Sequence, residues 1–136
     1  MKRLTGFLIL MLILLPVLAG CSGDASQEEL VAPASGVLVA LEFDGKPSHP
    51  VYEVQFRYMD DSGFIVMTLE EGENYREVLG KTTLEDHEGE TFRMTAYVSR
   101  GNQGPDLESP LSETREIRFE NGQTSEGNIV RIKVSE

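Results

Sequence analysis

From residue 36 onward, short stretches of the sequence alternate apolar and polar side chains with a period of two. In "VYEVQFRY" (51–58), one face of an extended chain holds Tyr52, Val54, Phe56 and Tyr58, and the other holds Glu53, Gln55 and Arg57. The same alternation occurs in "GVLVALEF" (36–43), "TFRMTAYVSR" (91–100), "TREIRFE" (114–120) and "NIVRIKV" (128–134). Successive side chains of a strand point to opposite faces, so these stretches predict half-buried β-strands.

Two further stretches have different patterns. "FIVMTL" (64–69) is a continuous apolar run, which predicts a strand that is buried on both faces. Residues 75–90, "YREVLGKTTLEDHEGE", fit either one helical turn through Tyr75, Val78 and Leu79 or a short edge strand over Tyr75–Leu79. The sequence leaves these two alternatives open.

Turn-forming residues separate the predicted strands. They occur as "DGKP" (44–47), "DDSG" (60–63), "EEGEN" (70–74), "GNQGP" (101–105) and "ENGQ" (120–123). Asn121-Gly122 predicts a tight type I′ hairpin, because both residues tolerate the positive φ that this turn needs. Residues 36–136 are therefore predicted to form an all-β domain, a single antiparallel β-sandwich of about seven strands.

The N-terminal residues have a different character. Lys2 and Arg3 precede an apolar run over residues 7–19, which is shorter than the ~20 residues of a membrane-spanning helix and suits the core of a signal peptide. The run ends in Leu18-Ala19-Gly20-Cys21, which resembles the lipobox of bacterial lipoproteins. The resemblance implies a signal peptide over residues 1–20, cleavage between Gly20 and Cys21, and lipidation of Cys21.

Lipidation of Cys21 implies a location. Two or more acyl chains at one residue hold a soluble domain on a membrane, whereas one chain binds weakly. The residue after Cys21 is Ser22 and not the aspartate that resembles an inner-membrane retention signal, which favours the outer membrane, on its periplasmic face or at the surface, if the host has one. The alternative is an ordinary secretory signal that leaves Cys21 as a free thiol or an intermolecular disulfide partner.

The composition of the mature chain limits its partners. Residues 21–35 include a small, polar and acidic stretch, "SGDASQEELVAPAS" (22–35), which is typical of a flexible tether. The whole chain has 23 acidic and 12 basic residues, and removal of residues 1–20 takes away two of the basic ones. This charge disfavours nucleic acid and direct docking on anionic lipid headgroups. Because Cys21 is the only cysteine, the domain has no intramolecular disulfide.

The β domain resembles two families. "DGKPSHPVYEVQF…DDSGFIVMTLEEGENY" is similar to the transthyretin-like domains typified by carboxypeptidase regulatory domains. The matching positions are Asp44, Gly45, Lys46, Pro47, Val54, Thr68, Gly72 and Tyr75. The runner-up is fibronectin type III, which "TFRMTAYVSRGNQGPDLESPLSE" resembles, although the early Trp of that family is missing. Both resemblances imply a scaffold or binding module and not an enzyme.

Patterns that indicate catalysis or metal binding are sparse. The sequence contains neither a G-x-S-x-G elbow nor a phosphate-binding glycine loop, so we predict no catalytic residues and no cofactor. His49 and His87 lie in turn-like segments without the further ligands that zinc requires. No metal site is assigned, and the weak calcium candidates are Asp60, Asp61, Glu71 and Glu73. Asp60 and Asp61 fit a hydrogen-bonded turn before a glycine equally well.

A possible binding surface lies in and beside the segment 99–111, "SRGNQGPDLESPL", the longest Gly/Pro-rich connection. Long loops on rigid sandwiches commonly bind ligands. The candidate residues are Tyr97, Arg100, Asn102 and Asp106. Tyr97 falls on the polar side of its strand, whereas Tyr52 and Tyr58 are expected in the core with their hydroxyls at its rim.

These features together predict a function. We expect a lipid-anchored lipoprotein of the cell envelope that acts as a non-enzymatic accessory or protein-binding module. Its partners would be the membrane, through Cys21, and another envelope protein, but not nucleic acid. The alternative is a surface-displayed domain that binds a small ligand, either a glycan or calcium.

Overall fold

The computed structural model describes residues 29–136. The predicted signal peptide, its cleavage site at Gly20 and the lipidation site at Cys21 lie outside the described residues. The elements are β1 (Val37–Phe43), β2 (Val51–Tyr58), β3 (Phe64–Glu70), β4 (Arg76–Leu79), α1 (Lys81–Asp86), β5 (Thr91–Val98), β6 (Arg115–Glu120), β7 (Gln123–Thr124) and β8 (Ile129–Val134). Two short 3-10 turns occur at Glu71–Glu73 and Gly101–Gln103.

The strands form two packed sheets, which confirms the predicted all-β sandwich. One sheet has three strands in the order β4-β1-β8, and the other has five in the order β3-β2-β5-β6-β7. All strand pairs are antiparallel except β1 with β8, which run parallel. The strand number exceeds the expected seven because the two-residue β7 extends the hairpin after β6.

The core lies between the sheets and is built from the apolar side of each alternating strand. Phe56, Phe92 and Phe119 pack as a cluster of rings whose centroids lie 4.7–6.5 Å apart. The aliphatic part of the core includes side chains from β1, β2, β3, β6 and β8, namely Val37, Val39, Leu41, Val54, Leu69, Ile117, Val130, Ile132 and Val134. The alternation in the sequence therefore predicted the inward faces correctly, because period-two burial is a property of the strand itself.

The prediction that "FIVMTL" forms a strand buried on both faces is wrong. β3 is the edge strand of the five-stranded sheet, and Phe64 on its outer side is 51% exposed. Only its inward side chains, Met67 and Leu69, are buried in the core. The Arg57 guanidinium lies over the Phe64 ring at 5.9 Å, but Phe64 and Val66 remain exposed to water.

The ambiguous segment 75–90 contains both a strand and a helix. β4 pairs antiparallel with β1 at the edge of the small sheet, which matches the edge-strand alternative for Tyr75–Leu79. After β4, α1 places Leu84 in the core and leads the chain across to β5. Tyr75 itself adopts a left-handed φ of 56°. This strained conformation is held by the rings of Phe43 and Tyr52, which lie 5.0 and 5.5 Å from its own ring.

The hairpin predicted at Asn121-Gly122 is present. Glu120 pairs with Gln123, so the connection between β6 and β7 consists of Asn121 and Gly122 alone. Their φ angles are 56° and 73°, both in the left-handed region that a type I′ turn requires.

The two ends of the sandwich contain different parts of the chain. At the first, which we call the tether end, the chain passes through Gly36 into β1, beside the end of β4 and the start of β8. Gly36 has a φ of 89°, and a Cβ there would lie 2.5 Å from the carbonyl oxygen of Leu79, so only glycine fits. The opposite end, which we call the loop end, contains the segments 44–50 and 99–111.

We expect substitutions of two phenylalanines to separate core from surface. Phe92→Ala removes a fully buried ring from the aromatic cluster and should lower the free energy of unfolding by about 3–5 kcal/mol. Phe64→Ala, at the exposed edge, should lower it by less than about 1 kcal/mol. Urea denaturation followed by tyrosine fluorescence measures both, since the chain has no tryptophan. Equal losses for the two variants would contradict the described core.

Candidate functional site

The segment 99–111 at the loop end is a hydrogen-bonded structure. Ser99 and Pro105 form an isolated β-bridge, and the Arg100 amide donates to the Gly104 carbonyl at 2.9 Å. The Asp106 amide donates to the carbonyl of Val98, the last residue of β5, at 3.0 Å. These bonds hold the base of the loop against the five-stranded sheet, so its side chains have defined positions.

An ion pair closes this loop. An Arg100 Nη atom lies 2.8 Å from Oδ2 of Asp106, so the structure brings two of the four candidate surface residues together. The other carboxylate oxygen of Asp106 is buried and has no hydrogen-bond partner within residues 29–136. A buried acceptor of this kind costs free energy unless a donor reaches it. Both residues line a cavity of about 530 Å³, whose wall also includes His49, Leu111 and Glu136.

The opposite wall of the cavity contains a second polar cluster. The Glu136 carboxylate accepts hydrogen bonds from the Tyr52 hydroxyl and, at 3.0 Å, from the Ser48 amide. Nδ1 of His49 lies 3.2 Å from the same carboxylate. The Tyr75 hydroxyl donates to the His49 carbonyl at 3.1 Å, so the segment before β2 is fixed from both sheets.

Burial and the hydrogen bond between Tyr52 and Glu136 change the pKa values of both residues. Burial, together with the bond to the Glu136 carboxylate, raises the pKa of Tyr52 from 10.0 to about 12. At Glu136, burial alone would raise the pKa, but the hydrogen bonds from Tyr52, Ser48 and His49 outweigh it and lower the pKa below its ordinary value. The contribution of Glu136 to stability is therefore lost as the pH falls through its folded pKa.

The other two predicted surface residues lie elsewhere. Asn102 is exposed in the 3-10 turn at the tip of the loop. Tyr97 is on the outer side of the five-stranded sheet, as predicted, but only 9% exposed, and it lines a different cavity. The structure therefore does not place Tyr97 in one surface with Arg100 and Asp106.

The calcium candidates do not form one site. Asp60 Oδ1 accepts from the Ser62 amide at 2.9 Å, which is the hydrogen-bonded turn considered as the alternative. Asp61 pairs with the guanidinium of Arg93. Glu71 and Glu73 follow the other end of β3, about 23 Å away along the strand. Within residues 29–136, no three His, Cys, Asp or Glu side chains lie close enough together to hold a metal ion.

The two histidines are engaged locally. Besides the contact of His49 with Glu136, Nδ1 of His87 lies 2.7 Å from the Glu90 carboxylate. The His87 ring also packs on Tyr58 and Phe92, with centroids 5.9 and 5.7 Å away. Tyr58 is half-buried and packs on the core, and Tyr52 is fully buried with its hydroxyl at the rim, as predicted.

A group of polar residues on the outer side of the large sheet was not predicted as a site. A groove of about 400 Å³, which we call the outer groove, is lined by Gln55, Arg57, Asp61, Arg93, Thr95, Tyr97 and Thr114. The alternation placed the residues of β2 and β5 on this side correctly. It did not indicate that Gln55 and Thr95 are buried there, because burial on an outer face depends on neighbours from other strands.

Comparison with known proteins adds no identification. No model of a known protein family matches the chain, and neither curated proteins nor solved structures yield a significant match. Among residues 29–136, no helix has the length and apolar character needed to cross a membrane. The features of the described residues that bear on function are the cavity at the loop end and the outer groove.

The raised pKa of Tyr52 predicts a loss of stability at alkaline pH. A folded pKa above the unfolded one contributes stability that is complete below pH 10 and is lost as the pH rises to about 12. The free energy of unfolding should fall over this range, and less steeply in Tyr52→Phe, which has no hydroxyl to ionise. Urea denaturation at a series of pH values measures the two slopes. Identical slopes in the wild type and the variant would show that Tyr52 does not titrate in this way.

Proposed function

We propose that this protein is a membrane-anchored lipoprotein of the cell envelope that acts as a non-enzymatic accessory or protein-binding module. The observation that supports this most is the position of the loop end. The chain leaves the sandwich towards Cys21 at the tether end, and the Arg100–Asp106 cavity lies at the opposite end. The tether to Cys21 therefore begins at the end of the sandwich that does not contain the cavity.

The dimensions suit this arrangement. β1 has seven residues, which at about 3.3 Å per residue separate the two ends by about 23 Å. Residues 21–35 add a connection that spans at most about 50 Å when fully extended. A domain on such a connection would reach partners well beyond the lipid headgroups.

The loop end has surface chemistry that suits a protein partner. Leu107 is 52% exposed at the tip of the segment 99–111 and offers an apolar contact. In the same segment, the Arg100 side chain is half-exposed, whereas Asp106 is 20% exposed and its Oδ1 offers a buried acceptor to an incoming donor. An apolar contact surrounded by oriented polar groups is the usual composition of a protein interface.

The proposed role is binding and not catalysis. His49 and Glu136 are the two titratable groups that face the cavity across from Asp106, and both make hydrogen bonds that join distant parts of the chain. Such bonds fix the wall of a binding cavity. The transthyretin-like resemblance, which implies a scaffold or binding module, agrees with this role and remains part of the proposal.

Binding of a small ligand is the second candidate function. The outer groove favours it, because the amide nitrogen of the buried Gln55 has no hydrogen-bond partner there. A surface with an unused buried donor is suited to a ligand that supplies an acceptor. Calcium as the ligand has no comparable support among the described residues.

We expect Cys21→Ser to release the protein from the membrane. Without the thiol, no thioether-linked lipid forms, and the anchor that two or more acyl chains would supply is lost. Fractionation of cells that express the wild type or Cys21→Ser, with detection of the processed and unprocessed chains, measures the result. A variant that stays in the membrane fraction and is processed normally would refute the anchor.

We expect the loop end to be required for capture of an envelope protein. The wild-type lipidated protein, purified from solubilised membranes, should bring down a stoichiometric envelope protein, and Leu107→Asp should reduce its recovery at least tenfold. Val78→Asp is the matched control, because Val78 is also an exposed aliphatic residue, 41% exposed, but lies on β4. Recovery of lipid alone with the wild type, or equal losses in both variants, would refute the role of the loop end.

A further inference from the structure

The outer groove on the large sheet combines several hydrogen-bond donors with few free acceptors. It lies over the middle of β2 and β5, where Gln55 is paired with Thr95 and Arg57 with Arg93. Gln55 is only 2% exposed, although it lines the groove. A buried amide on the outer side of a sheet is unusual, since glutamine is mostly exposed in proteins.

The orientation of the Gln55 amide is set by its neighbour. Arg57 donates from a guanidinium nitrogen to Gln55 Oε1 at 3.0 Å, and an arginine can only donate, so the accepting atom is the oxygen. The Nε2 group, with two N–H donors, is then left on the other side without a partner. Arg57 is itself held in place, because its guanidinium lies over the Phe64 ring at 5.9 Å.

Arg93 and the pair formed by Thr95 and Thr114 supply two further hydrogen-bond donors on this side of the sheet. Nε of Arg93 is buried without a partner, while an Nη group of that residue pairs with Asp61. The hydroxyls of Thr95 and Thr114 lie 2.7 Å apart, and only one of their two hydrogens can lie between the oxygens. The other hydrogen is available to a ligand.

The two arginines indicate the charge of the ligand. Arg57 and Arg93 are directly opposite each other on neighbouring strands, a placement of like charges that is unfavourable in a sheet. The lining of the outer groove contains these two arginines and one carboxylate, that of Asp61, so it is positively charged on a chain with a formal charge of −11. Glu116, which lies opposite Arg93 on β6, is outside this lining. Asp61 compensates one guanidinium, and an anion in the groove would compensate the other.

We propose that the outer groove binds a carboxylate group of an acidic side chain in an extended polypeptide. A carboxylate has only acceptor oxygens, which match the free donors of Gln55, Arg93 and the threonine pair. The polypeptide is favoured over an acidic sugar because the groove borders the exposed apolar residues Phe64 and Val66 on the edge strand β3. Apolar residues flanking the acidic residue would pack on these two side chains.

This inference deepens the protein-binding role proposed above and rests on it, but it concerns a different surface. The loop end and the outer groove share no lining residue. A peptide titration can therefore fail while capture through Leu107 succeeds, and the reverse outcome is equally distinguishable.

The test is a titration followed by nuclear magnetic resonance. The processed, lipidated protein in detergent micelles, with nitrogen-15 in its glutamine and arginine side chains, is titrated with Ac-Val-Glu-Val-NH2. The matched probe is Ac-Val-Gln-Val-NH2, which has no charge, and sodium acetate and glucuronate form separate arms. We expect the glutamate peptide to shift the Gln55 Nε2 and Arg93 Nε signals saturably, at least tenfold more tightly than the glutamine peptide.

Three variants sharpen the result. Gln55→Leu should weaken binding of the glutamate peptide at least tenfold, observed through the Arg93 Nε signal. Asp61→Asn should tighten it severalfold, because it removes the competing carboxylate and asparagine tolerates the left-handed φ of 60° at this position. Arg131→Gln, on β8 in the other sheet, is the control and should leave binding unchanged.

Several outcomes would overturn the proposal. These are no saturable shift with the glutamate peptide, equal binding of the two peptides, or an unchanged affinity in Asp61→Asn. Binding of glucuronate without binding of the peptide would overturn the polypeptide assignment and reassign the groove to an acidic sugar. Thermal melts of each variant identify loss of fold, and Asp61→Asn, in an exposed turn, keeps the test valid if Gln55→Leu does not fold.

Discussion

The packing of the two sheets through one aromatic and aliphatic core is the interaction on which the rest of the structure depends. Phe56, Phe92 and Phe119 form its centre, and the aliphatic residues of β1 and β8 close it from the small sheet. With Cys21 as the only cysteine, no disulfide assists this packing. Because burial of apolar area is the main stabilising contribution, the positions of all loops follow from the register of these strands.

The parallel pairing of β1 with β8 determines which features share an end of the domain. It places the start of both strands at the tether end and brings Phe43 and Val134 together at the other. The loop end then joins three parts of the chain that are far apart in sequence: Tyr52, Arg100 and Glu136. The cavity there is a consequence of topology, and the same pairing places it at the end of the sandwich opposite the start of the tether.

On the outer side of the large sheet, some of the polar residues of the alternating pattern are buried and not exposed to water. Gln55 and Thr95 are both buried on this side, and the Nε2 group of Gln55 has no hydrogen-bond partner within residues 29–136. Buried polar groups of this kind are normally paired, so this unpaired donor is the observation that supports the binding role proposed for the outer groove. The outer groove and the loop end thus present two separate polar surfaces on one rigid scaffold.

The sequence by itself determined six of the strands, the Asn121-Gly122 hairpin and the inward faces, because these depend on local conformational preference and period-two burial. It predicted β3 wrongly, since an apolar run has the same appearance in a central strand and in an edge strand such as Phe64–Glu70. It predicted Arg100 and Asp106 as part of a binding surface, but not His49 or Glu136, which line the same cavity. Only the tertiary structure decided which strands became edges and which distant side chains met, because both depend on contacts between residues far apart in the chain.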